Sequence, residues 1–230
     1  MKSIYTLTLI SMLAFVACND DDGIQQIELI LDTDRFDRIR LETSADIRII
    51  QSDFHKVVIT GIERDVNDVE VRVINERLTI EENHNHNEDL LIKVFVDEIS
   101  DLEIPGSSFV YGESYFTQAR DMNIFSSGSG ELDFAIDTED LDVEMTGSGD
   151  VYLEGDVRTL NADVSGSGWL RAFNLTADLA DVRIEGSGSA EVTVDTDLDV
   201  FISGSGDVFY KGHPFINAQI PGTGAVIDAN

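Results

Sequence analysis

The sequence predicts an all-β protein, a parallel β-solenoid (β-helix-like) with coils of about 19 residues and Gly-Ser-Gly corners. Three observations predict it. The first is a repeat. Gly128-Ser129-Gly130, Gly147-Ser148-Gly149 and Gly166-Ser167-Gly168 recur at an interval of 19, and triplets starting at Gly186, Gly204 and Gly222 follow at 20, 18 and 18. Gly106-Ser107-Ser108 is a degenerate earlier copy, which makes seven. The second is alternation on both sides of each triplet, as in Leu141, Val143, Met145 before one and Val151, Leu153 after it. The third is that no stretch shows a helical period.

Period two on both sides of a small-residue triplet reads as strand, corner, strand. Glycine suits a corner because it accepts positive φ at little steric cost. One such unit cannot bury its own apolar face, but a stack of equivalent units can. Successive copies run in the same direction, so their strands pair in parallel. Seven copies at about 4.8 Å give a rod segment roughly 30 Å long. An antiparallel meander is the alternative, and it has no need of a near-constant coil length.

The earlier residues are β-rich as well. Ile39, Leu41 and Ile47, Ile49 flank Thr43-Ser44-Ala45, a worn copy of the corner. Val57 and Ile59 make a short strand. Val69, Val71, Val73 and Leu78, Ile80 flank Asn75-Glu76-Arg77 as a hairpin, and Ile92, Val94, Val96 lead toward the first Gly-Ser copy.

Five residues before each first glycine stands another column: Asp101, Asn123, Asp142, Asn161, Asp181, Asp199, Asn217. In a parallel stack it forms one outward line. Asn side chains bond to neighbours above and below, and alternation with Asp spaces out like charges. A calcium ladder is the functional alternative, but the nonapeptide of calcium-binding β-rolls is absent. The expectation is a structural ladder and no metal.

The chain has 230 residues, 15 Lys+Arg, 45 Asp+Glu and a formal net charge of -30. That balance excludes nucleic acid as a partner, because phosphate contacts need a basic surface. The 42% hydrophobic content is enough for a core, so the charge does not mean disorder. The acidity is even: 25 acidic and 10 basic residues from Cys18 to Gly130, and 20 and 4 from Glu131 to Asn230. Outward positions on coil after coil account for it.

Residues 1–17 read as a lipoprotein signal peptide. Lys2 gives a positive start, and Ile4 to Val16 is an uncharged, mostly apolar run too short to span a bilayer. Ala17 before Cys18 resembles the bacterial lipobox, in which the cysteine is lipidated. Cys18 is the only cysteine, so no internal disulfide exists. Asn19-Asp20-Asp21-Asp22 resembles the surface-export signal of Bacteroidetes lipoproteins, with a periplasmic tether as the other reading. Residues 18–32 are expected as an acidic tether and entry segment. Residues 33–230 are expected as a single solenoid domain, repeat-rich over 100–230.

The repeated corners, the opening Phe36-Asp37-Arg38-Ile39-Arg40-Leu41 and the acidic lipoprotein start together resemble the DUF2807 family, called "putative auto-transporter adhesin, head GIN domain". The resemblance covers roughly residues 33 to 230. It implies a β-helix-like fold in an exported bacterial protein and supplies no catalytic residues.

The residues offer little catalytic chemistry. His84-Asn85-His86-Asn87 is the only dense His segment. Two His give too few ligands for a metal site, although Glu81, Glu82, Glu88 and Asp89 lie near, and a polar loop is expected. Scarce Lys and Arg after residue 130 argue against a lyase for acidic polysaccharides. No enzyme, cofactor or catalytic residue is expected. Outward aromatics are more suggestive: Phe109 and Trp169 just after a corner, with Tyr111, Tyr152 and Phe209 two further on. Such rings stack on sugars or fill an interface, unless the chain covers them itself. The expected function is a lipid-anchored cell-envelope module for adhesion or structural interaction. It meets the membrane through its anchor, an outer-membrane lipoprotein at the surface or in the periplasm. Its partner is a protein, a glycan or a second copy, since the solenoid end after Gly224 needs a cap. A carbohydrate-binding protein and a glycan-active enzyme are the rivals.

Overall fold

A computed structural model describes residues 15–17, 26–83, 90–118 and 121–230. Their strands join one 19-stranded sheet wound into a parallel β-solenoid. Each coil has an entry strand before its corner and an exit strand after it. In the regular coils a single long strand serves both, as in Glu131–Met145, Asp150–Val164, Trp169–Ile184 and Ser189–Ile202, each paired in parallel with the next. Phe215–Gln219 and Val226–Asp228 make the last coil.

Alternation places every second side chain inside. Leu141, Leu160, Ala180 and Leu198 stand in register and are buried, as are Met145, Val164, Ile184 and Ile202. Leu132, Val151, Leu170, Ala190 and Val208 do the same on the exit face. Phe116 and Phe134 pack in the core with ring centroids 4.8 Å apart.

The corners correct one expectation. The Gly-Ser-Gly glycines do not have positive φ; among the described glycines only Gly155 and Gly212 do. Their smallness is needed for close approach instead. A Cβ built on Gly166 lies 1.8 Å from the carbonyl oxygen of Gly147, and one on Gly147 lies 1.9 Å from that of Gly128. The middle residue uses this closeness. Ser148 N donates to Gly128 O at 3.1 Å, Ser167 N to Gly147 O at 3.0 Å, and Thr223 N to Gly204 O at 2.9 Å.

The early coils stack out of sequence order. Arg38–Glu42 and Asp46–Gln51 form a coil around the worn corner Thr43-Ser44-Ala45. One side of it pairs with Asp101–Ile104 and Phe109–Gly112, the other with Arg77–Glu82 and Leu91–Val96. The coil that is first in sequence is therefore second in the stack. Gly106 packs on Thr43, whose carbonyl oxygen is 2.4 Å from a Cβ built there.

The near end is covered by antiparallel structure. Lys56–Ile62 pairs antiparallel with Leu91–Val96 and with Gln26–Asp32, so the expected tether and entry segment ends in a strand. Val69–Ile74 and Arg77–Glu82 form the predicted hairpin, turning through Asn75 and Glu76 at φ 51 and 61, as a two-residue primed turn requires. One helical turn, Glu63–Val66, buries Val66; four residues are too few to show a period in sequence. At the far end the Asn230 amide imitates a strand, donating to Gly212 O and accepting from Gly212 N, both at 3.0 Å. Phe215 is 82% exposed there.

The corner geometry makes a prediction. Gly166→Ala drives a methyl into a backbone carbonyl that is itself hydrogen bonded, and is expected to cost at least about 2 kcal/mol. Ser167→Ala, on an exposed side chain one residue on, is expected to stay within about 0.5 kcal/mol. Urea unfolding of the two variants checks the contrast.

Candidate interaction face

Parallel in-register stacking turns sequence offsets into columns. On the exit face the third position after each corner reads Arg48, Tyr111, Asp133, Tyr152, Arg171, Glu191, Phe209. The first position beside it carries Phe109, Glu131, Asp150, Trp169 and Ser189. All five aromatics named from the sequence therefore stand on one face. Phe109 and Tyr111 are 58% and 42% exposed, whereas Tyr152, Trp169 and Phe209 are half-buried.

The structure divides them into two groups, each built on an arginine. Arg48 lies 4.8 Å from the Tyr111 ring centroid. Arg171 lies 4.7 Å from the Trp169 centroid and 5.5 Å from that of Tyr152. Trp169 and Phe209 stack at 6.0 Å and 17° across the small, buried Ser189. Cation–π contacts of this kind contribute about 0.5–1 kcal/mol at exposed sites. The arginines were missed in sequence, although Arg48 and Arg171 hold the same offset from their corners as Tyr111 and Tyr152. Phe173 and Lys211 were missed too. Lys211 Nζ sits 4.3 Å from the Phe173 centroid, and Phe173 continues the outward alternation of Trp169 and Arg171.

The polar column lies on the entry face, its members in register from Asp101 to Asn217. Its bonds run in Asn-to-Asp pairs rather than as a continuous ladder between like residues. Asn123 Nδ2 donates to Asp101 at 2.9 Å, Asn161 to Asp142 at 2.6 Å, and Asn217 to Asp199 at 2.7 Å. Asp181 and Asp199 are direct neighbours, and Arg183 lies 3.7 Å from Asp181. Arg38 stands beside Asp101 where the column meets the early coils.

Among the described residues no group of three His, Cys, Asp or Glu is placed to hold a metal ion. The His84–His86 segment and Cys18 lie outside the described residues. His55 is structural: its Nε2 is 3.1 Å from Phe36 O and 3.0 Å from Asp97 Oδ1. Burial works against the Asp97 charge, yet the Glu98 amide and Arg35 hold its pKa below the usual carboxylate range. The Tyr115 hydroxyl lies against Gly155 and donates to Asp137 at 2.8 Å. Burial, then that hydrogen bond, pushes its pKa up to about 12.

A model of the family described as "Putative auto-transporter adhesin, head GIN domain" (DUF2807) matches residues 35–214. The chain belongs to this family. The description is of an adhesin, and it points to the cell surface or envelope. The chain is also similar to solved structures. The crystal structure of "a putative adhesin" from Bacteroides fragilis superposes with a TM-score of 0.84 at 24% identity, covering 88% of this chain and 96% of that one. A "putative lipid binding protein" from Parabacteroides distasonis gives 0.73 at 24%, covering 91% and 98%. A "putative adhesin" from the same species gives 0.73 at 19%, covering 90% and 98%. At these identities the likeness establishes the shared fold. No protein of curated function matches the chain.

The column of this GIN-family protein makes a prediction. Asn161→Asp removes a hydrogen bond to a charged group and sets a fourth carboxylate into the row Asp142, Asp181, Asp199. It is expected to destabilise by about 1–2 kcal/mol at low salt and to recover in part as salt rises. Asn161→Ala is expected to show the loss with little salt dependence. Denaturation at two ionic strengths distinguishes them.

Proposed function

We propose that the protein is a lipid-anchored outer-membrane lipoprotein whose rigid solenoid presents the exit face for adhesion or structural interaction, without catalysis. The observation that carries the reading is the face itself, with five aromatics and two arginines aligned on one stiff surface in an adhesin family. Rings held by cations suit recognition, because little side-chain freedom is lost on contact. The Tyr115 phenol, pushed up to about 12, is poorly matched to acid–base work near neutral pH. The relative described as a lipid binding protein invites a lipid ligand, but here the interior is filled by Leu, Ile, Val and Phe side chains.

The anchor rests on the Ala17-Cys18 junction. Cys18→Ala is expected to move the protein from the membrane to the soluble fraction of lysed cells. Retention of the variant in the membrane fraction overturns the anchor. Digestion of the wild-type chain by protease added to intact cells supports surface display, and protection supports a periplasmic position.

A second copy is a further partner, favoured by one observation. Residues 208–227, between Asp207 and Asp228, contain no Asp or Glu, in a chain of net charge -30, and this stretch exposes Phe215, Ile216 and Ile220. It is the stretch at which two such acidic molecules meet with least repulsion. Sedimentation is expected to show dimers that Phe215→Glu dissociates; monomer at every concentration overturns the contact.

A further inference from the structure

The rhythm of the coils is interrupted on the exit face. The interval from the corner at Gly166 to the next, at Gly186, is one longer than that from Gly147 to Gly166, and the extra length is spent next to Phe173. Ala172 pairs with Val192, yet the following pair is Thr176 with Thr193, so the chain bulges over 173–175. The same irregularity shows on the other side, between the pairs of Tyr152 and Glu154. Thr193 Oγ1 donates to Phe173 O at 2.8 Å and holds the bulge in place. Bulges bend a strand and re-aim side chains. Here the Phe173 ring stands beside the column of Tyr152, Arg171 and Glu191, and the two border an open cleft of about 440 Å³. That volume lies in the range of small-ligand sites, roughly 300–1,000 Å³.

The lining of the cleft selects a ligand class. Residues 131–230 hold four basic side chains, and two of them, Arg171 and Lys211, line this cleft. Asp133, Glu154 and Glu191 line it as well. Three carboxylates against two cations favour neither a strong anion nor an isolated cation. Arg171 is not locked by its carboxylates: Asp150 and Glu191 are 3.8 and 3.7 Å away, beyond hydrogen-bond reach. Its Nε makes no hydrogen bond although that atom is buried. A purely apolar ligand would strip water from these groups and return no partners. A ligand rich in hydroxyls, each able to donate to a carboxylate and accept from a guanidinium or ammonium, satisfies both signs at once. Apolar C–H surface on the same ligand suits the rings of Tyr152 and Phe173.

We propose that this cleft binds a neutral sugar unit of a glycan. The proposal rests on the adhesion reading of the exit face and gives it a ligand class. It also separates the face into a binding half around Arg171 and an upstream half at Phe109 and Tyr111.

The test uses the detergent-solubilised full chain on an array of neutral hexose and N-acetylhexosamine oligosaccharides, with uronate-containing and sialylated glycans beside them. Neutral glycans are expected to be retained, with affinity reduced at least tenfold in Arg171→Ala and in Phe173→Ala and unchanged in Ile74→Ala, an exposed position on the hairpin at the other end of the stack. Lys211→Ala, outside the Arg171 cluster, supplies an independent variant if Arg171→Ala misfolds, and circular dichroism of each variant checks the fold. Absence of neutral-glycan binding, retention of acidic glycans alone, or full affinity in both Phe173→Ala and Lys211→Ala overturns the proposal. Cell adherence measured in parallel keeps the two readings apart. Adherence that needs the protein while the neutral glycans fail to bind sinks the cleft and leaves adhesion standing. Adherence unchanged by deletion of the protein sinks the adhesion reading whatever the array shows.

Discussion

At each corner the amide of the middle residue donates to the carbonyl of the first glycine one coil earlier, at 2.9–3.1 Å from Ser148 to Thr223. The same closeness leaves no space for a Cβ on the glycines. This contact sets how one coil lies on the next, and the rest of the molecule inherits its register. With the corner fixed, residues at equal offsets fall in line on both faces. Leu141, Leu160, Ala180 and Leu198 meet inside because each stands six residues before a corner glycine and the corners are in contact. A longer side chain at the corner would splay the strands on both sides of it, so one carbon atom has consequences along a whole coil.

Strict register is costly for a chain this acidic. Two like charges one strand apart, at about 4.8 Å, repel by roughly 0.9 kcal/mol even in water, and a column repeats the cost at every step. The sequence relieves it locally. On the entry face Asn alternates with Asp and donates to it, and Arg183 stands near Asp181, which neighbours Asp199 in the same column. On the exit face Arg171 separates Asp150 from Glu191 and also holds two rings. Such contacts relieve the repulsion at particular rungs, while Glu131 and Asp150, and Glu144 and Asp163, remain like-charged neighbours. The remaining acidity lies outward, where solvent and salt screen it.

Legibility followed the same division. Wherever the repeat holds, offset from the corner predicts position, and both the polar column and the aromatic face could be read by counting. The glycines are selected for a different reason than the sequence suggested, because positive φ and close approach demand the same residue and sequence does not separate them. The order of the early coils was not legible. Arg77–Glu82 stacks outside Arg38–Glu42, and pairing order in space leaves no mark on alternation within a strand. The partners of the aromatics were readable in principle, since Arg48 and Arg171 occupy ring positions by offset; a count of rings alone passes over cations. Phe173 could be read as an outward ring, two residues after Arg171 in the same alternation; where the coil spends its extra residue could not, because only the pairing shows it.

Departures from the repeat are where this fold gains individuality. A regular pleated face offers a ligand an even surface, the same at every coil, and so no preferred place to bind. The bulge at 173–175 makes one coil unlike its neighbours and brings Phe173, Lys211 and Arg171 to one concavity. The acid-free stretch at residues 208–227 makes one part of the stack unlike the rest. In both places the corner glycines continue unchanged through Gly166, Gly186, Gly204 and Gly222. The scaffold contact is kept while the outward residues vary, and a solenoid of this kind can acquire a specific face without altering what holds it together.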